Sequence, residues 1–217
     1  DSFLHFQCAA GTVLAALLIF GVAPVPCLAL LWLLYLSLVT VGRDFLAFQW
    51  DNLLLEAGFL AIFFAPLQWL PNPSREAPPS RVVLWLLRLL LFKLMFMSGC
   101  VKLLSGDPNW RNLTALGYHY QTQCLPPWTA WYFHHLSPWL QKVSAVKMFA
   151  IEGLVPFLIV APRRIRFAAA FAMIGLQAMI AATGNYGFFN LLSIALCLPL
   201  FDDAVWPWRW RRAPAPA

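Results

Sequence analysis

Apolar stretches long enough to cross a bilayer recur along this 217-residue chain, and no other feature constrains its fold as strongly. A helical run of about 18 or more apolar residues spans roughly 30 Å of hydrocarbon. Lipid offers no water to a free N–H or C=O, so spanning segments must be helices or a closed barrel. The runs here are continuous and rich in Leu, Ala and Phe, without the inside–outside alternation of barrel strands. The expected fold class is therefore all-α, a polytopic transmembrane helix bundle. Composition agrees: 61% of residues are hydrophobic and 11% charged, where a soluble domain carries roughly 25% charged residues.

Seven spans are expected, at about 3–22, 27–41, 50–70, 81–104, 145–161, 164–183 and 186–201. Proline and glycine punctuate them: Gly21 to Pro26 turns the first pair, Pro71 to Pro79 brackets a polar loop, and Pro162 separates the fifth from the sixth. A transmembrane domain thus covers 1–201. The Pro- and Arg-rich stretch 202–217, with the missing initiator Met, marks the chain as a probable piece of a longer one. Segment 105–144, between the fourth and fifth spans, breaks the pattern. It is dense in Trp, Tyr, His and Pro, which suits the headgroup region. Forty residues are long for a bare connection, and such loops are usually functional. The plainer reading is an interfacial helix pair that caps the bundle.

The formal charge of +6 is carried by residues between apolar segments, as topology signals are, so a nucleic-acid partner is not expected. The lipid bilayer is the expected partner. Arg75, Arg81, Arg163, Arg164, Arg166, Arg209, Arg211 and Arg212 would share the cytoplasmic side. Arg43, Lys102, Arg111, Lys142 and Lys147, spread more thinly, would share the other, together with the aromatic loop. Five Cys without a C-x-x-C pair give neither a disulfide framework nor a zinc site.

Ionisable groups within spans are costly and are functional suspects by default. Glu56 and Glu152 each fall roughly 10 Å inside the non-cytoplasmic face, counting about 1.5 Å per residue. Asn52 and Glu56 are four apart and share a helix face. With Asp51, Lys93, Lys102, Asn185, Tyr186 and Asn190 they define a candidate polar pocket beneath the aromatic loop. Such a pocket would take a ligand, a proton or a client segment; the alternative is a structural clamp in which a glutamate pairs with Lys93. Arg88 and Lys102 are fourteen apart on one stripe and could snorkel to opposite interfaces, which leaves Lys93 the better candidate for a buried ion pair.

In the loop, Trp110, Tyr118, His119, Tyr120, Trp128, Trp131, His134 and His135 form the candidate interfacial or client surface. The histidines lack ligand-like spacing to Cys or carboxylates, so no metal is expected. No G-x-S-x-G elbow supports a serine hydrolase. Asn112-Leu113-Thr114 is a glycosylation triplet, of consequence only in a secretory lumen.

Several stretches go beyond pattern. FQWDNLLLEAGFL at 48–60, KLMFMSGCVKL at 93–103 followed by DPNW at 107–110, HYQTQ at 119–123, LPPW at 125–128 and GNYGFFNLL at 184–192 together resemble the lipase maturation factor family. The resemblance covers most of 1–201. It implies a multipass membrane protein that helps secreted lipases fold and assemble, and a distant kinship with the membrane bundle of vitamin K-dependent carboxylases. Family members usually add a helix upstream and a soluble portion downstream.

The expectation drawn from this is a non-enzymatic folding factor without a cofactor, with a secreted lipase or another exported protein as client. Its membrane would be the endoplasmic reticulum in a eukaryote, or the bacterial inner membrane to which the Ala-, Pro- and Arg-rich composition points. Two alternatives stand beside it. One is a membrane enzyme using a lipid-like or quinone-like cofactor, with Lys93 or Lys102 as base. The other is a transporter relaying protons through the buried carboxylates, although no inverted repeat is visible.

Overall fold

A computed structural model describes residues 2–72, 78–123 and 125–202, and these are helical throughout apart from their turns. Arg75, Arg209, Arg211 and Arg212, the tail from 203 onward and Cys124 lie outside the described residues. The described chain divides into two compact units that part between Leu87 and Arg88.

The first unit opens with a helical hairpin, α1 (Ser2–Ile19) and α2 (Pro24–Gly42). Its turn passes twice through left-handed backbone, at Gly21 with φ +72°, where a glycine fits without strain, and at Ala23 with φ +44°. Pro24 then starts α2 at the position where a missing N–H does no harm. Between the two helices, buried Gln7 donates from Nε2 to Ser37 Oγ at 2.5 Å. Polar pairs of this kind hold helices together in lipid, where apolar contact alone has little driving force. A 3-10 turn (Arg43–Leu46) leads to α3 (Gln49–Phe64). Asp51, 1% exposed, reaches back to accept from the Phe48 N–H at 3.2 Å, capping the first turn of α3. Its other oxygen accepts from the Tyr35 hydroxyl of α2 at 2.5 Å. Trp32 donates to the Leu55 carbonyl at 2.9 Å and packs on Phe59.

The expected span 50–70 is thus shorter. Ala65 is extended ahead of Pro66, as a residue before proline prefers, and the helix stops at Phe64.

In the second unit, α4 (Arg81–Leu104, of which Arg88 onward belongs here) is followed by three short helices, α5 (Pro108–Arg111), α6 (Ala115–Thr122) and α7 (Trp128–His134). Then come α8 (Pro138–Gly153), a 3-10 turn (Val155–Val160), α9 (Arg163–Thr183) and α10 (Phe189–Cys197) with a last 3-10 turn to Leu200. The expected span 145–161 is therefore the end of α8 continued as a 3-10 turn through Pro156, whose missing N–H interrupts the α ladder. Leu91 and Met95 of α4, Met173 of α9, Cys197 of α10 and Leu200 beyond it are fully buried. Phe92 and Phe96 close on Phe157 edge-on, at 5.1 and 5.3 Å between centroids.

Among the described residues, four helical stretches are long and apolar enough to cross a membrane: Ser2–Ile19, Pro24–Leu46, Arg81–Leu104 and Arg163–Thr183. Large side chains such as Phe6, Leu33, Phe63, Leu89, Val101 and Phe171 point outward. A water-soluble protein would not tolerate so much exposed apolar surface, whereas lipid covers it.

The Asp51 carboxylate is the polar centre of the first unit. Asp51→Ala leaves the Tyr35 hydroxyl without its acceptor and should destabilise the fold by about 1–3 kcal/mol, against about 1 kcal/mol for Tyr35→Phe. Apparent melting temperatures of the detergent-purified variants check both the size and the order.

Candidate functional site

The insert between α4 and α8 is a folded subdomain. Leu116, Tyr120, Ala130 and Ala145 form its small core, with Leu113 and Phe133 packed against them. Helices α5, α7 and α8 carry start signals in the sequence. Asp107 caps α5 by accepting from the Asn109 N–H at 2.8 Å, and Pro108 follows at the first helical position. Pro127 precedes α7 in extended backbone. Ser137 caps α8, accepting from the Leu140 N–H at 3.4 Å, again ahead of a proline.

Beneath the insert lies a buried ion pair. Lys102 Nζ donates to both carboxylate oxygens of Glu152, at 2.6 and 2.7 Å. Glu152 is 3% exposed. Gly99, one turn earlier on α4, sets up the approach: a Cβ there would come within 3.2 Å of Glu152 Cβ. Gly99 and Lys102 are three apart and share a face, so the glycine lets α8 close and the lysine then locks it. The Trp110 ring lies 5.8 Å from Lys102 Nζ and packs edge-on against Phe149, three residues before Glu152. The DPNW motif is thereby explained: cap, helix start, and an aromatic laid over the ion pair.

Further contacts fasten the insert to the end of α9. Gln123 Nε2 donates to the Thr183 carbonyl at 2.8 Å, and the Thr129 hydroxyl donates to the Ala182 carbonyl. The His119 Nε2 and the Tyr186 hydroxyl are hydrogen-bonded at 3.2 Å, with the two rings nearly parallel. Tyr186 folds back over Gly184, where a Cβ would stand 2.5 Å from its ring, and Gly187 turns with φ +56°. Burial, and then the nearby Lys102 charge, hold the His119 imidazole below its ordinary pKa. Burial raises the Tyr120 phenol.

The structure places the candidate pocket residues as follows. Lys102, expected to snorkel, is the partner of Glu152, a role that sequence reasoning gave to Lys93. The reason is register: Lys102 shares a face with Gly99, whereas Lys93 is on the exposed side of α4. Asp51 is buried and bound to Tyr35; Asn52 and Glu56 are on the exposed side of α3. These three belong to the first unit, and Lys102, Glu152, Tyr186 and Asn190 to the second. Asn185 is exposed. Asn190 is 2% exposed, and its side-chain oxygen has no partner among the described residues.

In the insert, Tyr118, Trp128 and Trp131 point outward, with Tyr132 and Trp139 beside them. His135 Nδ1 contacts the Trp131 carbonyl at 2.7 Å, and the neighbouring His134 ring stands nearly perpendicular to it. Sequence reasoning missed Tyr35, Gly99 and Gln123. The glycine in SGCVK was the available signal, since an interior helix glycine marks a close approach.

Helices of spanning length, apolar outer faces and buried polar ties between helices together define an integral, multi-pass α-helical membrane protein. The chain belongs to the lipase maturation factor family: the model of the lipase maturation factor transmembrane domain matches residues 1–208. It is 53% identical over 185 residues to lipase maturation factor 2 of Homo sapiens, covering 80% of this chain and 26% of that protein. Identity to lipase maturation factor 2 of Xenopus laevis is 51% over 201 residues, covering 88% and 28%. Human lipase maturation factor 1 is 41% identical over 187 residues, covering 86% and 33%. The chain thus spans about a quarter to a third of these relatives' length. No solved structure matches it.

Two outcomes follow for the site. Removing one member of the ion pair, by Lys102→Met or Glu152→Leu, should destabilise by about 3–5 kcal/mol, and the double variant should recover most of the loss. Thermal unfolding of the three purified variants measures this. The second concerns acid. Unfolded His119 takes up a proton below about pH 6.5, which the folded insert resists. The unfolded state then binds more protons, so stability present at neutral pH declines as pH falls from about 6.5 through the depressed folded value. Melting temperatures from pH 7.5 to 5 should drop less steeply for His119→Gln.

Proposed function

We propose that this chain is the membrane-embedded part of a maturation factor that assists secreted lipases to fold, with the insert 105–144 as the surface that meets the client. Membership of the lipase maturation factor family is one support. The observation that carries the reading is the rigid mounting of an exposed aromatic face. Trp128, Trp131 and Tyr132 stand outward from a helix bound to α9 through Thr129 and to α6 through the small core. Aromatic side chains on a fixed frame present large contact area while losing little freedom on binding. Such a surface at the end of a spanning helix can shield an apolar client segment until it folds, with no covalent step.

The side away from the cytosol is the consistent location, because that is where exported lipases fold. The membrane is then the endoplasmic reticulum for a eukaryotic chain and the inner membrane for a bacterial one. The reading with Lys102 as a catalytic base is less well supported, since both Glu152 oxygens already accept from its ammonium group.

Cells in which the native protein carries Trp128→Ser, Trp131→Ser and Tyr132→Ser should secrete lipase with several-fold lower activity per mass of lipase, at unchanged membrane abundance of the variant. Unchanged specific activity would overturn the role given to this surface.

A further inference from the structure

The turn between α5 and α6 carries the triplet Asn112-Leu113-Thr114, which neither the helix ties nor the proposed client surface uses. The chain has six asparagines, and Asn112 alone has a hydroxyl residue two places on with no proline between; after Asn72, Pro73 stands before Ser74. The fold gives the three side chains different surroundings. Asn112 ends α5, its backbone N–H donating to the Pro108 carbonyl at 2.8 Å. Its side chain is exposed and makes no hydrogen bond among the described residues. Leu113 turns the other way and packs against the small core of Leu116, Tyr120, Ala130 and Ala145. It does so at φ +58°, a left-handed backbone that costs a leucine energy and persists because packing holds it. Thr114 points back, its hydroxyl donating to Asn109 Oδ1 at 3.1 Å. Position along the membrane normal agrees with an outward amide. The 24 residues of α4 reach about 36 Å at 1.5 Å each, more than the roughly 30 Å of hydrocarbon, so the turn lies beyond the core. Neighbouring Arg111 is exposed as well, as a charged side chain in water is.

We infer that Asn112 is an acceptor for N-linked glycosylation, taking an oligosaccharide from a polyprenyl diphosphate donor. This rests on the reading that the insert faces the lumen of the endoplasmic reticulum. In the transfer, Asn112 Nδ2 bonds to the anomeric carbon of the sugar and gives up one proton. The bond from that carbon to the diphosphate oxygen breaks, and the polyprenyl diphosphate leaves with the electron pair. A transferase needs the amide and the hydroxyl of the triplet both free, whereas the folded turn engages the Thr114 hydroxyl with Asn109. Attachment therefore precedes closure of the turn. The finished fold accommodates the product, because the one side chain that is modified is the one that points away from the core and breaks no contact. A bulky hydrated glycan cannot re-enter hydrocarbon, so once attached it fixes the insert on that side of the membrane.

The test is expression of the native protein in eukaryotic cells, with glycans read as mobility shifts reversed by peptide N-glycosidase. Asn112→Gln and Thr114→Ala should each remove one glycan. Thr114→Ser and Asn109→Gln should keep it. The readout does not depend on folding, since transfer comes first. In parallel, Tyr118→Cys, at an exposed position of the same insert, is treated with a membrane-impermeant maleimide in sealed microsomes from those cells. Label added over the unsubstituted protein only after detergent places the insert in the lumen. No glycan lost in Asn112→Gln, with Tyr118→Cys protected, would overturn the Asn112 site and leave the orientation standing. Labelling of Tyr118→Cys without detergent, again with no glycan lost, would overturn both. Retention of the glycan in Thr114→Ala, or its loss in Asn109→Gln, would also remove the triplet as its cause.

Discussion

The Lys102–Glu152 pair is the contact on which the second unit turns. Bringing an ammonium and a carboxylate out of water is expensive, and such a pair holds only when its geometry is close to ideal. Here both oxygens accept from one Nζ, and Trp110 covers it. Everything nearby serves that geometry. Gly99 removes the side chain that would keep α8 away, Asp107 and Pro108 start the short helix that carries Trp110, and Phe149 props the indole from the side. The insert is thus built outward from a charge pair, and its own apolar core is small. A loop of this composition without such a fixed base would have no reason to hold one shape.

Two layers of polar contacts between elements stand out in the second unit, on either side of a buried contact from Gln177 Nε2 to the Met95 sulfur. One contains Lys102, His119, Gln123 and Tyr186, around the end of α9; the other contains Arg88, Arg163 and Arg166, around its start. The 21 residues of α9 separate them by roughly 30 Å at 1.5 Å per residue, which is the thickness of the hydrocarbon core. Between the layers the buried residues are Leu91, Met95, Ala169, Ala170 and Met173. The bilayer leaves its imprint in this spacing even though no lipid is present.

What was legible in the sequence follows the physics of each signal. Long apolar runs gave the class and the positions of α1, α2, α4 and α9, because transfer into lipid acts residue by residue and needs no partner. The ends of the weaker spans were misjudged at Pro66 and Pro156, where proline stops or tightens a helix that hydropathy would carry onward. The 105–144 insert was visible as a compositional break, but its three helices were not. They depend on the cap at Asp107 and on a core that closes only when Ala145 of α8 joins it. Pairing was least legible. Depth along a helix made Lys93 and Glu152 plausible partners, but rotation about the axis decided for Lys102, and that rotation is readable only once Gly99 is taken as the contact point.

The motifs that carried the family resemblance turn out to be the places where one helix is tied to another. FQWDNLLLEAGFL contains Asp51 for Tyr35 and the Leu55 carbonyl for Trp32; SGCVK contains Gly99 and Lys102; HYQTQ contains His119 for Tyr186 and Gln123 for Thr183; GNYGFFNLL contains Gly184 and Tyr186. In water, the apolar faces of helices would drive this assembly. In lipid they cannot, since a leucine gains little by exchanging acyl chain for another leucine. Specificity must come from close approach at glycine and from hydrogen bonds that hydrocarbon cannot replace. The recognisable residues of such a chain are therefore its helix ties, and a resemblance built on them identifies the bundle before it identifies any site within it.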